Sequence, residues 1–443
     1  MKIGRIELKN YRCFEKITVD LHGKLSVIVG GNGTGKTAIL EGIAVAAGTF
    51  LTGLDDAAGK RITKKDARLK AYKLGASDDI QSQYPVVVKA RGTFDDQSFD
   101  WTRSLNSEKG NTIKADAKTL LDIAKDYQER LRSGDASLIL PMIAYYGTGR
   151  LWDYHREKKS DVFKTSTRTN GYLDCLDGTA NIKLMLNWFR KKTVQKAQKA
   201  QKAQKNTAEI DEVTDTLDVV YAAMSKCYER ITGQTGVTLQ YNLDTNEIDC
   251  YYMTDSAMQM CMPLAQMSDG YKGTMSLIAD IAYRMAILNP QLGDNVLWET
   301  PGIVLIDEVD LHLHPAWQHR ILADLREIFP KIQFIVTTHA PAVISSVKSE
   351  SLIILNQKET VSAEVETYGE DVNTILTKVM GAASRVPAIA ELFSKFSKLL
   401  TEKKFDEAEK VLDEIDEQRD YHDNEVVANR VKLSVERIRG GKS

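Results

Sequence analysis

The chain has 443 residues, 43% apolar and 27% charged, with a formal net charge of −2. This length and balance suit two or three packed units, and they exclude a global field that would pull the molecule onto nucleic acid. Cys13, Cys175, Cys227, Cys250 and Cys261 are scattered without a C-x-x-C pair, which argues against a disulfide framework or cysteine zinc site and fits a reducing cytosol. No run of about eighteen apolar residues exists, so no membrane span or membrane partner is expected. Residues 1–5 lead into a strand without an apolar signal region, and a cytoplasmic location is expected.

In chain order, residues 3–9 alternate like a strand, and Asn10-Tyr11-Arg12-Cys13-Phe14 makes a turn. Residues 17–21 read as a second strand and the apolar run 25–29 as a buried one. That run feeds Gly30-Gly31-Asn32-Gly33-Thr34-Gly35-Lys36-Thr37, and a helix is expected from there to about Ala47. Strand, G-x-x-x-x-G-K-T, then helix is the context a P-loop requires. The motif alone should arise by chance in roughly one or two per cent of chains this long, and the flanking elements lower that further. The loop from Gly30 through Asn32 and Thr34 turns successive N–H groups toward a phosphate, and the helix N-terminus at Thr37 and Ala38 adds positive potential. Lys36 would reach the β- and γ-phosphates of ATP, and the Thr37 hydroxyl would ligate Mg²⁺.

Residues 48–84 turn polar and basic, with Lys60, Arg61, Lys64, Lys65, Arg68, Lys70 and Lys73. They read as a solvated helix face, with contact to a phosphate backbone as the alternative. Strands are expected over 86–89, 94–103 and 138–146 and a helix over 115–132, after which Gly147-Thr148-Gly149-Arg150 closes the first half. Residues 171–192 place Tyr172, Leu176, Met185, Trp188 and Phe189 at helical spacing, which reads as core. Residues 195–205 repeat Gln, Lys and Ala, an exposed helix or tether whose basic residues are taken as solvated. Residues 210–231 read as a returning amphipathic helix, so this region makes an insertion that projects from the fold.

A hairpin is expected through Asp244-Thr245-Asn246, joining strands 237–241 and 248–253. Ser268-Asp269-Gly270 precedes an apolar helix over 274–288. Short apolar strands over 303–306 and 334–336, suited to a buried parallel sheet, end in Asp307-Glu308 and Thr337-Thr338-His339. A crossover helix over 315–328 joins them, two edge strands fall within 352–366, and the rest is helical.

The P-loop therefore has company in a fixed order. The strand ending in Asp307-Glu308 is a Walker B arrangement, in which Asp307 would hold Mg²⁺ through water and Glu308 would be general base toward the attacking water. One strand later, His339 places an imidazole where it could sense a γ-phosphate. Ser268 and Gly270 offer a hydroxyl, a flexible backbone and a helix N-terminus for a phosphate that Lys36 does not serve. His312, His314 and His319 could suggest a metal cluster, but two of them directly follow the Walker B strand, which favours a loop role over zinc.

On these residues the chain resembles ABC-type ATPases of the SMC and overcoming-lysogenization-defect (OLD-like) group. Leu8-Lys9-Asn10-Tyr11-Arg12-Cys13-Phe14 is similar to that group's opening strand, and Met267-Ser268-Asp269-Gly270-Tyr271-Lys272-Gly273 to its signature motif. Leu311-His312-Leu313-His314-Pro315 resembles its D-loop, with His314 where many ABC proteins carry aspartate, and His339 matches its switch histidine. The resemblance covers residues 1 to about 366 apart from the insertion. It implies an α/β fold: an ABC-type P-loop NTPase head with a mixed, mainly parallel sheet, flanking helices and an antiparallel N-terminal β region. The implied domains are an N-terminal lobe (1–150), a helical insertion (151–235), a C-terminal lobe (236–366) and a helical extension (367–443). It also implies a head-to-tail homodimer sandwiching two ATP molecules, with Glu308, His339 and Lys36 catalytic, His314 beside the nucleotide, and Ser268 and Gly270 acting in trans. No Q-loop glutamine is found, and Tyr145 to Arg150 stands in its place.

Residues after His339 contain no Asp-x-Asp pair, which a Toprim nuclease domain would need, so no nuclease site is expected in this chain. The tail instead carries an apolar stripe, Phe393, Phe396, Leu399, Phe405, Ala408, Val411, Leu412 and Ile415, that reads as packed helices or a docking surface. This layout resembles the ATPase subunits of Septu-type and retron antiviral systems. That resemblance implies a separate HNH nuclease as partner, with DNA or a retron RNA/DNA element as a further one. The competing reading is a RecF-like repair ATPase that acts on DNA itself; a transporter ATPase is disfavoured by the insertion and the Leu-His-Pro loop.

Overall fold

The computed structural model describes residues 1–74, 77–151, 167–178, 182–205, 216–254, 258–356, 358–361, 366–382, 385–418 and 424–440. Two compact units emerge, residues 1–370 and residues 371–443.

The first unit opens with β1 (Lys2–Tyr11) and β2 (Phe14–Asp20), a hairpin that buries Ile6, Leu8, Ile17 and Val19 on one face. β3 (Leu25–Gly30) is apolar on both faces and enters α1 (Lys36–Leu51) through the P-loop. An exposed hairpin follows, β4 (Leu69–Leu74) with β5 (Ser77–Ser82), then β6 (Val86–Phe94), β7 (Gln97–Leu105), α2 (Lys118–Arg132) and β8 (Met142–Tyr146). Next come α3 (Ile182–Lys205), α4 (Thr216–Thr232), β9 (Thr238–Asn242), β10 (Glu247–Met253), β11 (Gln259–Pro263), α5 (Asp269–Leu288) and α6 (Val296–Glu299). The unit closes with β12 (Gly302–Ile306), α7 (Pro315–Gln318), α8 (Ile321–Ile328), β13 (Ile332–Thr337), α9 (Pro341–Ile344), β14 (Leu352–Asn356) and β15 (Glu359–Val361).

The main sheet has the order β15-β14-β3-β13-β12-β8, parallel except for β15. A second, antiparallel sheet has the order β2-β1-β6-β7. Helix α1 lies between the two and contacts strands of both, so almost all of its residues are buried and it shows no polar stripe. Trp101 Nε1 donates to Ala46 O at 3.0 Å, and the Phe50 and Phe94 rings stack 5.2 Å apart, fixing the antiparallel sheet to the helix. The expected P-loop head, with a mixed sheet, flanking helices and an antiparallel N-terminal β region, is the fold observed.

Several local expectations give way to the structure. The basic stretch after α1 is not a helix face: its only long elements are β4 and β5, where Leu69, Ala71 and Lys73 alternate with Lys70, Tyr72 and Leu74 and pair across a hairpin. The strand expected over 138–146 starts at Met142, because Pro141 cannot donate to a ladder. That expected over 94–103 begins at Gln97, since Asp95 and Asp96 turn the chain with φ of 45° and 62°. Residues 168–172 form a short 3₁₀ turn, and the helix expected over 171–192 starts only at Ile182. Tyr172, Leu176, Met185, Trp188 and Phe189 are nonetheless buried. Helix 315–328 is two helices, interrupted at His319 and Arg320. β14 is an inner strand, flanked by β3 and β15, so the edge consists of β15 alone. Part of the helix expected over 210–231 and residues 362–365 lie outside the described residues.

The second unit begins with the single turn α10 (Val372–Thr374), and α11 (Pro387–Thr401), α12 (Phe405–Glu417) and α13 (Asn424–Gly440) follow. Phe396, Leu399, Ala408, Val411, Leu412 and Ile415 pack with Val426 and Leu433 into a core of its own. The expected stripe is therefore the inside of a three-helix cluster. Among the described residues no helix is long and apolar enough to cross a membrane.

Candidate functional site

The phosphate cradle is set by β3 and α1. Thr34 Oγ1 donates to Gly31 O at 2.9 Å, and Gly35, at φ 104°, precedes the first helical turn. A Cβ on Gly35 would lie 2.3 Å from Phe14 Cζ and 2.7 Å from Cys13 Sγ, so the β1–β2 turn packs directly on the loop and tolerates no side chain there. Lys36, only 7% exposed, folds back so that Nζ donates to Gly30 O at 2.9 Å and Gly31 O at 3.0 Å. Burial pushes its ammonium below the usual lysine range, against the pull of Asp307, Glu308 and Asp310. The three carboxylates therefore face the cradle.

Strand β12 delivers them. Thr37 Oγ1 donates to Asp307 Oδ2 at 2.7 Å, and Thr337 Oγ1, at the end of β13, donates to Asp307 Oδ1 at 2.5 Å. A hydroxyl and a carboxylate in contact form an oxygen donor set that suits Mg²⁺. The same Thr337 Oγ1 accepts from Glu308 N at 2.7 Å. Glu308 sits at φ 48°, a conformation unusual for a side chain of its size, and its carboxylate makes no hydrogen bond or ion pair with a described residue. His339 is half-buried after β13, and its imidazole has no protein partner among the described residues. Between them, Thr338 Oγ1 donates to Asp310 Oδ1 at 2.5 Å.

The sequence reading missed a residue that grips this turn. Arg150, 7% exposed at the end of β8, donates from Nη1 to Asp307 O at 2.6 Å and Gly147 O at 3.1 Å, and from Nη2 to Glu308 O at 2.7 Å. Burial lowers its guanidinium below the usual arginine range, partly offset by Asp307, Asp310 and Glu308. One cation thus holds the carbonyls on both sides of the positive-φ residue. The sequence placed it only in the segment that stands where a Q-loop would, just past an apolar strand, and assigned it no role.

Ser268, Gly270 and His314 belong to a second cluster, around the start of α5 and α7. Ser268 is the N-cap of α5, which starts at Asp269 rather than at residue 274, and its exposed hydroxyl makes no capping bond. Gly270 lies against the loop after β12: a Cβ would sit 2.5 Å from His312 O. His314 caps α7, its Nδ1 accepting from Ala316 N at 3.3 Å, the acceptor role an aspartate fills at such a position. Tyr271 packs edge-on against Trp317 with centroids 4.4 Å apart, and also against Tyr228 of α4, so helix α4, the first turn of α5 and helix α7 form one aromatic cluster. Ser268 shares no hydrogen bond with the P-loop of its own chain among the described residues.

The comparisons agree with this geometry. An AAA domain family matches residues 5–220, and a second, described as AAA domain, putative AbiEii toxin, Type IV TA system, matches residues 179–345. The chain is 26% identical to the Retron Vc95 probable ATPase of Vibrio cholerae serotype O1 biovar El Tor, over 81% of this chain and 74% of that protein. It is 25% identical to the Retron Ec83 probable ATPase of Escherichia coli, over 91% and 80%. A shorter match, 35% identical over 31% of this chain and 20% of the other, is to the Septu protein PtuA of Bacillus mycoides (strain KBAB4). The chain is similar to proteins named as retron probable ATPases and as a Septu protein, and AAA domain models match most of its first unit.

The structure brings Lys36, Thr37, Asp307 and Glu308 into one site, and among the described residues Ser268, Gly270 and His314 share no hydrogen bond with it. Arg150 gives a sharp test. Arg150→Ala is expected to lower turnover about 10–100-fold by letting Glu308 drift, with ATP affinity, measured by calorimetry, changed less than about threefold. A parallel loss of affinity and turnover would mean that the arginine supports the whole site rather than the hydrolytic turn.

Proposed function

We propose that the chain is the ATP-binding and hydrolysing subunit of an antiviral defence complex, and that its ATP cycle gates an HNH nuclease supplied by a partner. The observation that supports hydrolysis is the pairing of Thr37 with Asp307 beside Glu308, whose carboxylate has no partner among the described residues. Relatives named as retron ATPases and as a Septu protein support the defence setting.

Gly30, Asn32, Gly33, Thr34, Gly35 and Ala38 present backbone N–H groups to the phosphates of ATP, and Lys36 moves from the Gly30 and Gly31 carbonyls to the β- and γ-oxygens. Thr37 and Asp307 would hold Mg²⁺, which when bound neutralises charge on the β- and γ-phosphates. The Glu308 carboxylate accepts a proton from the attacking water, and His339 donates a hydrogen bond toward the γ-phosphate. Ser268 and the N-terminus of α5 face the nucleotide of a second copy, closing a head-to-tail dimer in which Gly270 and His314 line the seam.

Ser268→Arg tests the seam. ATP should still bind, but ATP-driven dimerisation followed by light scattering should be lost and turnover should fall at least about 10-fold. A variant that dimerises normally removes Ser268 from the interface. The wider reading is tested by purifying the protein from its native host with neighbouring genes intact. An HNH protein that co-purifies, and is lost on deletion of residues 366–443, supports gating through the tail. A chain that comes alone, or with DNA and recombination factors, points to a repair ATPase acting on DNA directly.

A further inference from the structure

The cation-rich stretch after α1 takes no part in the nucleotide site, and it leads to a buried charge that no described residue neutralises. Arg103 lies on β7 among the inward positions Trp101, Arg103 and Leu105, and none of its surface reaches solvent (0%). Nη1 donates to Thr49 Oγ1 at 3.2 Å, but Nε and Nη2 have no hydrogen-bond partner. Backbone and hydroxyl contacts fix its neighbours. Ile113 N donates to Ser104 O at 2.7 Å, which brings Lys114 alongside. Thr112 Oγ1 accepts from Ile62 N and donates to Ile62 O, both at 3.1 Å, which brings in Arg61. Arg61 and Lys114 are exposed and form no ion pair among the described residues.

Among the described residues no carboxylate pairs with this cluster. Burial lowers the Arg103 guanidinium to about 10, with Arg61 pushing the same way. Burial likewise lowers Lys114, helped by Arg103 and Arg61. A solvated charge run needs no explanation, but a dry guanidinium with two unused donors does, because such a charge is strongly unfavourable until an opposite charge completes it. The Nε–Nη2 edge is also the fork that takes two oxygens of one oxyanion.

We propose that Arg103, Arg61 and Lys114 form a phosphate-binding site, with Arg103 as its floor and the two exposed cations as its rim. Three positive charges without an acid suit a phosphate better than a lone carboxylate. The group could be carried by a nucleic-acid strand or by a free phosphorylated small molecule, which share this chemistry. The site is separate from the P-loop: Thr49 lies about 18 Å along α1 from Thr37, too far for one triphosphate to span. The inference therefore does not depend on how the nucleotide site works.

The experiment uses the full chain carrying Lys36→Ala, so that the cradle does not compete. Its melting temperature is followed with inorganic phosphate and, separately, with single-stranded oligothymidylate at equal phosphate concentration. At least one probe should raise it by roughly 2–4 °C, and Arg61→Gln with Lys114→Gln should abolish that rise. A rise with inorganic phosphate assigns the site to a free phosphorylated molecule, and a rise with the oligonucleotide alone assigns it to a strand. Arg103→Met, which removes the uncompensated charge, should melt at or above its parent without anion and should no longer respond to anion. Neither probe acting, or a rise that survives in the Arg61/Lys114 double variant, overturns the proposal. Should Arg103→Met fail to fold, the double variant decides alone.

Discussion

Glu308→Gln should bind ATP as the parent does yet hydrolyse it roughly 10²–10⁴-fold more slowly, and should accumulate as an ATP-bound dimer. The expectation rests on three features of one turn. The carboxylate is uncommitted, the backbone is held at positive φ, and Thr337 and Arg150 lock that backbone from its N–H and carbonyl sides. Glutamine keeps the shape and the turn but cannot take the proton. Phosphate release in single-turnover conditions, read beside ATP affinity, separates the two steps. Turnover at the parental rate would mean that another group acts as base.

Lys36→Ala should act one step earlier. The side chain is nearly buried, faces three carboxylates and holds two P-loop carbonyls, so its loss leaves those acids with one cation fewer. ATP affinity should weaken by about 2–5 kcal/mol, measured by calorimetry, and ATP-driven dimerisation should vanish with it. Unchanged affinity would remove Lys36 from the phosphate cradle. Together the two variants distinguish a protein that cannot load from one that cannot reset.

What the sequence revealed, and what it hid, follows from where each function resides. The P-loop and Walker B strand are legible because their chemistry is carried by residue types at fixed local spacing, and the structure sets Thr37 against Asp307. The role of Arg150 could not be read, although its segment stood where a Q-loop would, because its partners are carbonyl groups, which every residue possesses. The β4–β5 hairpin was misread because lysine and leucine fit a helix as readily as a strand, and only cross-strand pairing decides between them. Helix α5 begins before the apolar run that announced it, since its first turn carries Asp269, Gly270 and Lys272 instead of core residues. The departure at His314 also becomes intelligible: a neutral imidazole accepts the capping bond that an aspartate would.

The strand order of the main sheet bears on how the protein is made. β3 leaves the ribosome early, but its neighbours β13 and β14 come from near the end of the first unit. Thr37 and Asp307, which complete the cradle, are 270 residues apart in the chain. A nascent chain carrying only the P-loop therefore has an unpaired, largely apolar strand and no nucleotide site, and such a strand invites aggregation. Ribosome-bound chains should stay unable to retain ATP until β14 has emerged, and holding chaperones have their longest task on this protein in that interval.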